Sequence, residues 1–167
     1  MLEKHAKLMQ FFSNSDEIIG RKRLQKMIYI LKKCDIPFEE RYQFHFYGPY
    51  SEELTLRIEE MGNLGFLNEI KEDKKNYSQY RYQLTDAGCE FLDHYHMDLP
   101  PMNRHIQLMK EKSSRFLELV STLLFFEQLP KAEITEKVFT VKGKQNYNEE
   151  DIAEAWAFIA QLRQIGA

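Results

Sequence analysis

Two cysteines, Cys34 and Cys89, are too few for a disulfide framework, and they point to a reducing cytoplasm. No stretch approaches the ~18 uncharged apolar residues that a membrane span requires. The opening MLEKHAKLMQFF sets Glu3, Lys4, His5 and Lys7 among its apolar residues, which does not read as a signal peptide. Repeats and low-complexity tracts are absent. No sign of charge dominates either. The net charge is −3, all of it carried by residues 1–100, while residues 101–167 balance, so neither part is a basic arm for nucleic acid. Phosphate-cradling loops are also missing: VKGKQN has a Gly-Lys pair without the upstream glycine or the following Ser/Thr of a P-loop. Neither a G-x-G-x-x-G nor a G-x-S-x-G pattern occurs. Carboxylates are plentiful but sit beside lysines on helical patterns, as solvated faces do. These absences argue against an enzyme and call for no cofactor.

What is present is enough apolar material for a core, at 43% of residues. Residues 3–12 carry Leu8, Phe11 and Phe12 on one side of a short helix, and SNSDE (13–17) reads as a turn or cap. GRKRLQKMIYILKKC (20–34) is the strongest helix of the first half, with Leu24, Met27, Ile28 and Leu31 at helical spacing. Pro37 ends it. RYQFHF (41–46) is aromatic and alternating, which predicts one short strand. Ser51 then caps a helix whose first turn holds Glu52 and Glu53, and Gly62 and Gly65 supply its exit. FLNEI (66–70) and YRYQLT (80–85) predict a hairpin around a polar loop, and Thr85 or Asp86 starts a further helix. MDLPPMN (97–103) is the one internal boundary. Beyond it, helical spacing runs through 104–128 and 131–141. The last helix starts at Asn148, with Glu149, Glu150 and Asp151 in its first turn.

The order predicts a mainly α protein with a small β hairpin. Its first domain (1–98) reads as a winged helix-turn-helix, followed by a helical extension (99–167) that packs on it or forms a homodimer. Phe125, Phe126 and Trp156 are the candidate dimer contacts. In such a fold the helix before the hairpin enters the major groove. Here it carries Glu52, Glu53, Glu59 and Glu60 against Arg57, which opposes DNA affinity. Helix 20–34 compensates with six basic residues and no acid. Lys22, Lys26, Tyr29 and Lys33 fall on one stripe of it, which reads as a solvated face paired with the acidic helix. On a second reading Lys22, Lys26 and Lys33, with Lys74, Lys75 and Arg81 of the hairpin, contact the phosphates of double-stranded DNA. The turn Tyr47-Gly48-Pro49-Tyr50 sets two aromatic rings beside the two strongest backbone punctuators. Partly exposed rings on a rigid turn suit a protein-binding hot spot. The candidate partner-binding set is therefore Tyr47, Gly48, Pro49, Tyr50, Glu53 and Arg57. CEFLDHYHMD gathers Cys89, Asp93, His94, His96 and Asp98. On a helix His94 and His96 point nearly opposite ways, so no metal site is assigned there.

The basic-apolar helix followed by FYGPYSEEL…MGNLGFL resembles the bacterial YwgA family over most of the chain, a likeness that brings no biochemical activity with it. Residues 20–66 also resemble the Panacea domain of SocA-like antitoxins, in a shared pattern of helix, aromatic stretch and Tyr-Gly-Pro elbow. The hairpin at 66–85 and the C-terminal helices lie outside that second likeness. It implies a non-enzymatic module that neutralises or delivers a partner protein.

Overall fold

The computed structural model describes residues 2–95 and 97–165, Lys144 by its backbone alone. Among the described residues the chain forms eight α-helices, five short strands and one 3-10 turn. No helix among them is long and apolar enough to cross a membrane.

Helix α1 (Glu3–Ser15) runs three residues further than its apolar spacing predicts, and Ser15 is buried beneath it. The segment read as a turn is in part a strand, β1 (Glu17–Ile19). Asp16 and Gly20, both at positive φ, bracket it. Three residues are too short for an alternation to register, which is why the sequence pattern misses it. Helix α2 (Arg21–Lys33) follows, then β2 (Gln43–His45) and β3 (Gly48–Tyr50), which pair antiparallel with His45 opposite Gly48. The predicted single strand running into a helix is thus a hairpin with Phe46 and Tyr47 as its two-residue turn. Gly48 makes the return possible at φ +90°, a conformation that residues with a Cβ rarely adopt.

Helix α3 (Glu52–Asn63) begins where the sequence places it, with Ser51 Oγ accepting from Leu54 N at 3.0 Å. Strands β4 (Leu67–Asp73) and β5 (Ser78–Leu84) form a long hairpin closed by Lys74–Tyr77. β1 pairs with the other edge of β5, so the sheet order is β1-β5-β4. Thr85 caps α4 (Asp86–His94) through Gly88 N.

Helical spacing over 104–128 hides a break. Ser113 caps a new helix by accepting from Phe116 N, dividing the region into α5 (Asn103–Lys110) and α6 (Ser114–Phe125). Helices α7 (Lys131–Val141) and α8 (Glu149–Gln164) complete the chain, α8 with a reciprocal Asn148–Asp151 capping box. One apolar cluster runs from Leu8 and Phe11 of α1 through Met27 and Ile30 of α2 to Leu117 and Val120 of α6 and Ile159 of α8. Helix α6 lies against both α2 and β3, and this contact positions the site described next.

Candidate functional site

Helix α2 is built for burial on nearly every side. From Leu24 through Leu31 each residue is buried, Lys26 and Gln25 included. The stripe Lys22–Lys26–Tyr29–Lys33 is therefore no solvated face: α6 and the β2–β3 hairpin cover its middle. Lys22 pairs with Glu118 of α6 at 3.6 Å, and α3 meets α2 through Gln25. Gln25 bonds the backbone of Ser51 from both ends of its amide, accepting from Ser51 N at 2.8 Å and donating to Ser51 O at 2.9 Å. This two-point clamp fixes the start of α3 against α2.

The hairpin is fastened by two buried ammonium groups. Lys26 Nζ donates to Pro49 O at 2.7 Å, and Lys142 Nζ, from just beyond α7, donates to Phe46 O at 3.0 Å. Both lysines are 1% exposed. Their counter-charge is Glu118, also buried, which meets Lys142 at 3.3 Å and accepts from Gln145 at 3.2 Å. Burial pushes Lys26 down to about 7 against the pull of Glu118, and Lys142 is lowered by burial too. Gly48 sits directly on this cluster. A Cβ there would lie 3.4 Å from Thr122 Oγ1 and 3.6 Å from Lys26 Nζ. These are ordinary contact distances, so it is the positive φ of Gly48, and not a lack of space, that favours glycine here.

What the hairpin presents is aromatic. Phe46 is 70% exposed and Tyr47 53%, packed edge to face at 5.1 Å, and the Lys22 ammonium lies 4.2 Å from the Tyr47 ring centroid. Phe46, the more exposed ring, is absent from the set the sequence suggests. The only signal for it was its place at a hairpin turn, which the single-strand reading conceals. Pro49 and Gly48 are buried, and Tyr50 is half-buried, its hydroxyl 2.9 Å from Thr55 Oγ1.

Behind Tyr47 and Tyr50 opens a cavity of about 380 Å³ between α2, α3 and the hairpin. Leu24, Leu54, Ile58 and Tyr82 give it an apolar lining, Lys22 and Lys26 stand on the hairpin side, and Glu59 and Glu69 also line it. The α3 residues that line this space are Leu54, Thr55, Ile58 and Glu59. Glu53 and Arg57 lie on another stripe of the helix and are engaged elsewhere. Glu53 accepts from Arg41 N at 2.6 Å, and that bond and the Arg41 side chain lower its carboxyl. Arg57 pairs with Glu60 at 2.6 Å. The structure does not bring these two to the elbow.

No protein-family model matches the chain. It is 61% identical over 165 residues, 99% of its own length and 99% of the relative's, to a Bacillus subtilis protein described as "Uncharacterized protein YwgA". The chain belongs to the YwgA family. The match to YwgA spans every element described above, the C-terminal helices included.

In this YwgA-family chain the suggested phosphate contacts are scattered. Lys26 is buried, a correction to its place on an exposed stripe, because the hairpin and α6 close over it. Arg81 is held between Glu17 and Glu72, and its bond to Glu17 raises it further. Lys33 lies 5.7 Å from the Tyr29 ring centroid. Lys74 and Lys75 are exposed at the β4–β5 turn. Phe125 and Phe126 are half-buried, with Phe44 of the hairpin 5.3 and 5.2 Å from them, and Trp156 is half-buried with the Lys131 ammonium 5.2 Å from its ring. His94 Nδ1 lies 2.9 Å from Glu90 O, and His96 falls outside the described residues. No three His, Cys, Asp or Glu among the described residues are placed to hold a metal ion.

Proposed function

We propose that this chain is a non-enzymatic, cytoplasmic regulatory module that binds a partner protein through the Tyr47-Gly48-Pro49-Tyr50 elbow and the acidic helix α3, in the manner of an antitoxin. The observation that carries this reading is the fastening of the hairpin. Two large rings, Phe46 and Tyr47, stand in solvent on a turn whose backbone is tied down by two buried lysines. Ring exposure on a pre-ordered turn supplies contact area at small entropic cost, the property of interface hot spots. Helix α3 adds the acidic Glu52 and Glu59 beside it, which suits a basic partner surface.

The framework we assign is a winged helix. Helix α1, strand β1, helices α2 and α3, and strands β4 and β5 follow its order, with the β2–β3 hairpin inserted where a tight turn normally joins the two central helices. The alternative use of that framework, DNA binding, rests on Lys74 and Lys75 at the exposed β4–β5 turn. Against it stand the acidic α3, the burial of Lys26 and the pairing of Arg81.

Affinity capture with the wild-type chain and with Phe46→Ala and Tyr47→Ala variants tests the proposal. A partner held by the wild type should be lost or weakened at least about tenfold in the variants. Equal retention by both variants would make the elbow purely structural. Retention of random duplex DNA at two salt concentrations tests the other reading. Salt-sensitive binding there would replace the protein-only account.

A further inference from the structure

The cavity behind the elbow has features that a protein-binding tip does not need. At about 380 Å³ it falls in the range of small-molecule sites, and much of its lining is aliphatic or aromatic carbon. Its polar groups are not evenly spread. Lys22 and Lys26 lie one helical turn apart on α2, on the side where the hairpin closes, and Tyr47 sits over Lys22. The carboxylates come from the other elements: Glu59 from α3 and Glu69 from β4, the latter paired with Arg21 at 3.3 Å. Three cations of α2, Arg21, Lys22 and Lys26, thus stand beside the apolar lining, and Arg21 is the one already paired with a lining carboxylate.

Lys26 is the informative group. It is 1% exposed, lines the cavity, and carries three N–H bonds, of which one goes to Pro49 O. No second hydrogen bond of this group is formed among the described residues. Glu118 spends its carboxylate on Lys142, Lys22 and Gln145. A buried ammonium with donors to spare beside an apolar chamber is matched by an anion on an apolar body. A single carboxylate placed there would accept from Lys26 and draw on Lys22, while its hydrocarbon part lies on Leu24 and Ile58.

We propose that the cavity between α2, α3 and the β2–β3 hairpin is a binding site for a small organic carboxylate with an apolar body. Tyr47 and Tyr50 line this site and also belong to the elbow, so an occupant touches side chains of the elbow itself. The inference stands apart from the identity, or existence, of a protein partner.

Calorimetric titration of the intact chain with octanoate and 3-phenylpropionate, alongside the alcohol and the amine of each carbon skeleton, tests it. At least one carboxylate should bind saturably, about tenfold or more tighter than its alcohol, with no detectable binding of the amine. Lys22→Met, at the partly exposed rim, should weaken the carboxylate several-fold and leave the alcohol unchanged. Ile58→Trp, which fills the apolar part, should weaken both. Circular dichroism and the urea midpoint verify that each variant is folded. The proposal is overturned if neither carboxylate binds at millimolar concentration, if acid and alcohol bind alike, or if folded Lys22→Met binds the acid as the wild type does.

Discussion

Glu118→Gln isolates the electrostatics that hold the hairpin. The substitution keeps the side-chain shape and removes the one carboxylate that faces Lys142 at 3.3 Å and Lys22 at 3.6 Å. At an effective dielectric of about 20, a pair at that distance attracts by roughly 5 kcal/mol. Part of this is offset, because the glutamine no longer carries the desolvation cost of a buried carboxylate. What remains is the buried Lys142 ammonium without its anion, while Lys26, already lowered to about 7 with Glu118 in place, is free to lose its proton. Breaking a buried pair by removing one partner costs about 3–5 kcal/mol, and that is the expected loss at pH 7. Equilibrium urea denaturation measures it. With a slope of about 1–3 kcal/mol/M, the midpoint falls by at least about 1 M. Lys142→Met should cost less, since it removes a buried charge along with the bond to Phe46 O. The double variant should cost less than the sum of the two. A Glu118→Gln protein within about 1 kcal/mol of the wild type would refute the reasoning. The cluster would then be hydrated or already neutral.

Two further outcomes follow from the same geometry. Gly88→Ala should destabilise by about 3 kcal/mol, although alanine favours helices, because its Cβ would lie 2.3 Å from the Phe66 carbonyl oxygen; a rise in thermal midpoint would contradict the packing of α4 on that carbonyl. The depressed Lys26 also sets a pH dependence. Its folded value of about 7 lies below the ordinary 10.5, so between these values the unfolded chain binds the proton that the native chain has released. Stability should therefore rise from pH 7 toward pH 9 and be lowest below pH 7, with Lys142 adding in the same direction. Lys26→Met should flatten that slope in denaturation curves taken across the window, and an unchanged slope would assign it to other groups.

The elements most legible in the sequence are those with a local chemical cause. Ser51, Thr85 and Asn148 each cap the helix they announce, and the 20–34 pattern yields α2 within a residue. The β4–β5 hairpin is placed correctly but is longer than its apolar ends suggest, since Lys71, Glu72 and Asp73 join the ladder through their backbone. The break at Ser113 is invisible to spacing, because α5 and α6 both bury the residues the pattern marks. The site is legible only in part. Tyr47, Gly48, Pro49 and Tyr50 stand out locally, whereas Glu118 and Lys142 look like ordinary surface charges. Nothing within one turn of either residue reveals that a hairpin some 70 or more residues away will cover it. Lys26 misleads for the same reason. A helix periodicity describes which residues share a face, and it is silent about whether another segment lies on that face.

The anchoring of the hairpin also dictates when it can form. Pro49 waits for a lysine 23 residues earlier in the chain, but Phe46 waits for one 96 residues later. Contacts that span so much sequence close late, after local helices and hairpins are in place. During synthesis from the N-terminus the second anchor does not exist until residue 142 has been made, so the aromatic tip is not held in its final geometry on a growing chain. Under the proposed function, a partner that recognises the ordered tip ignores incomplete chains.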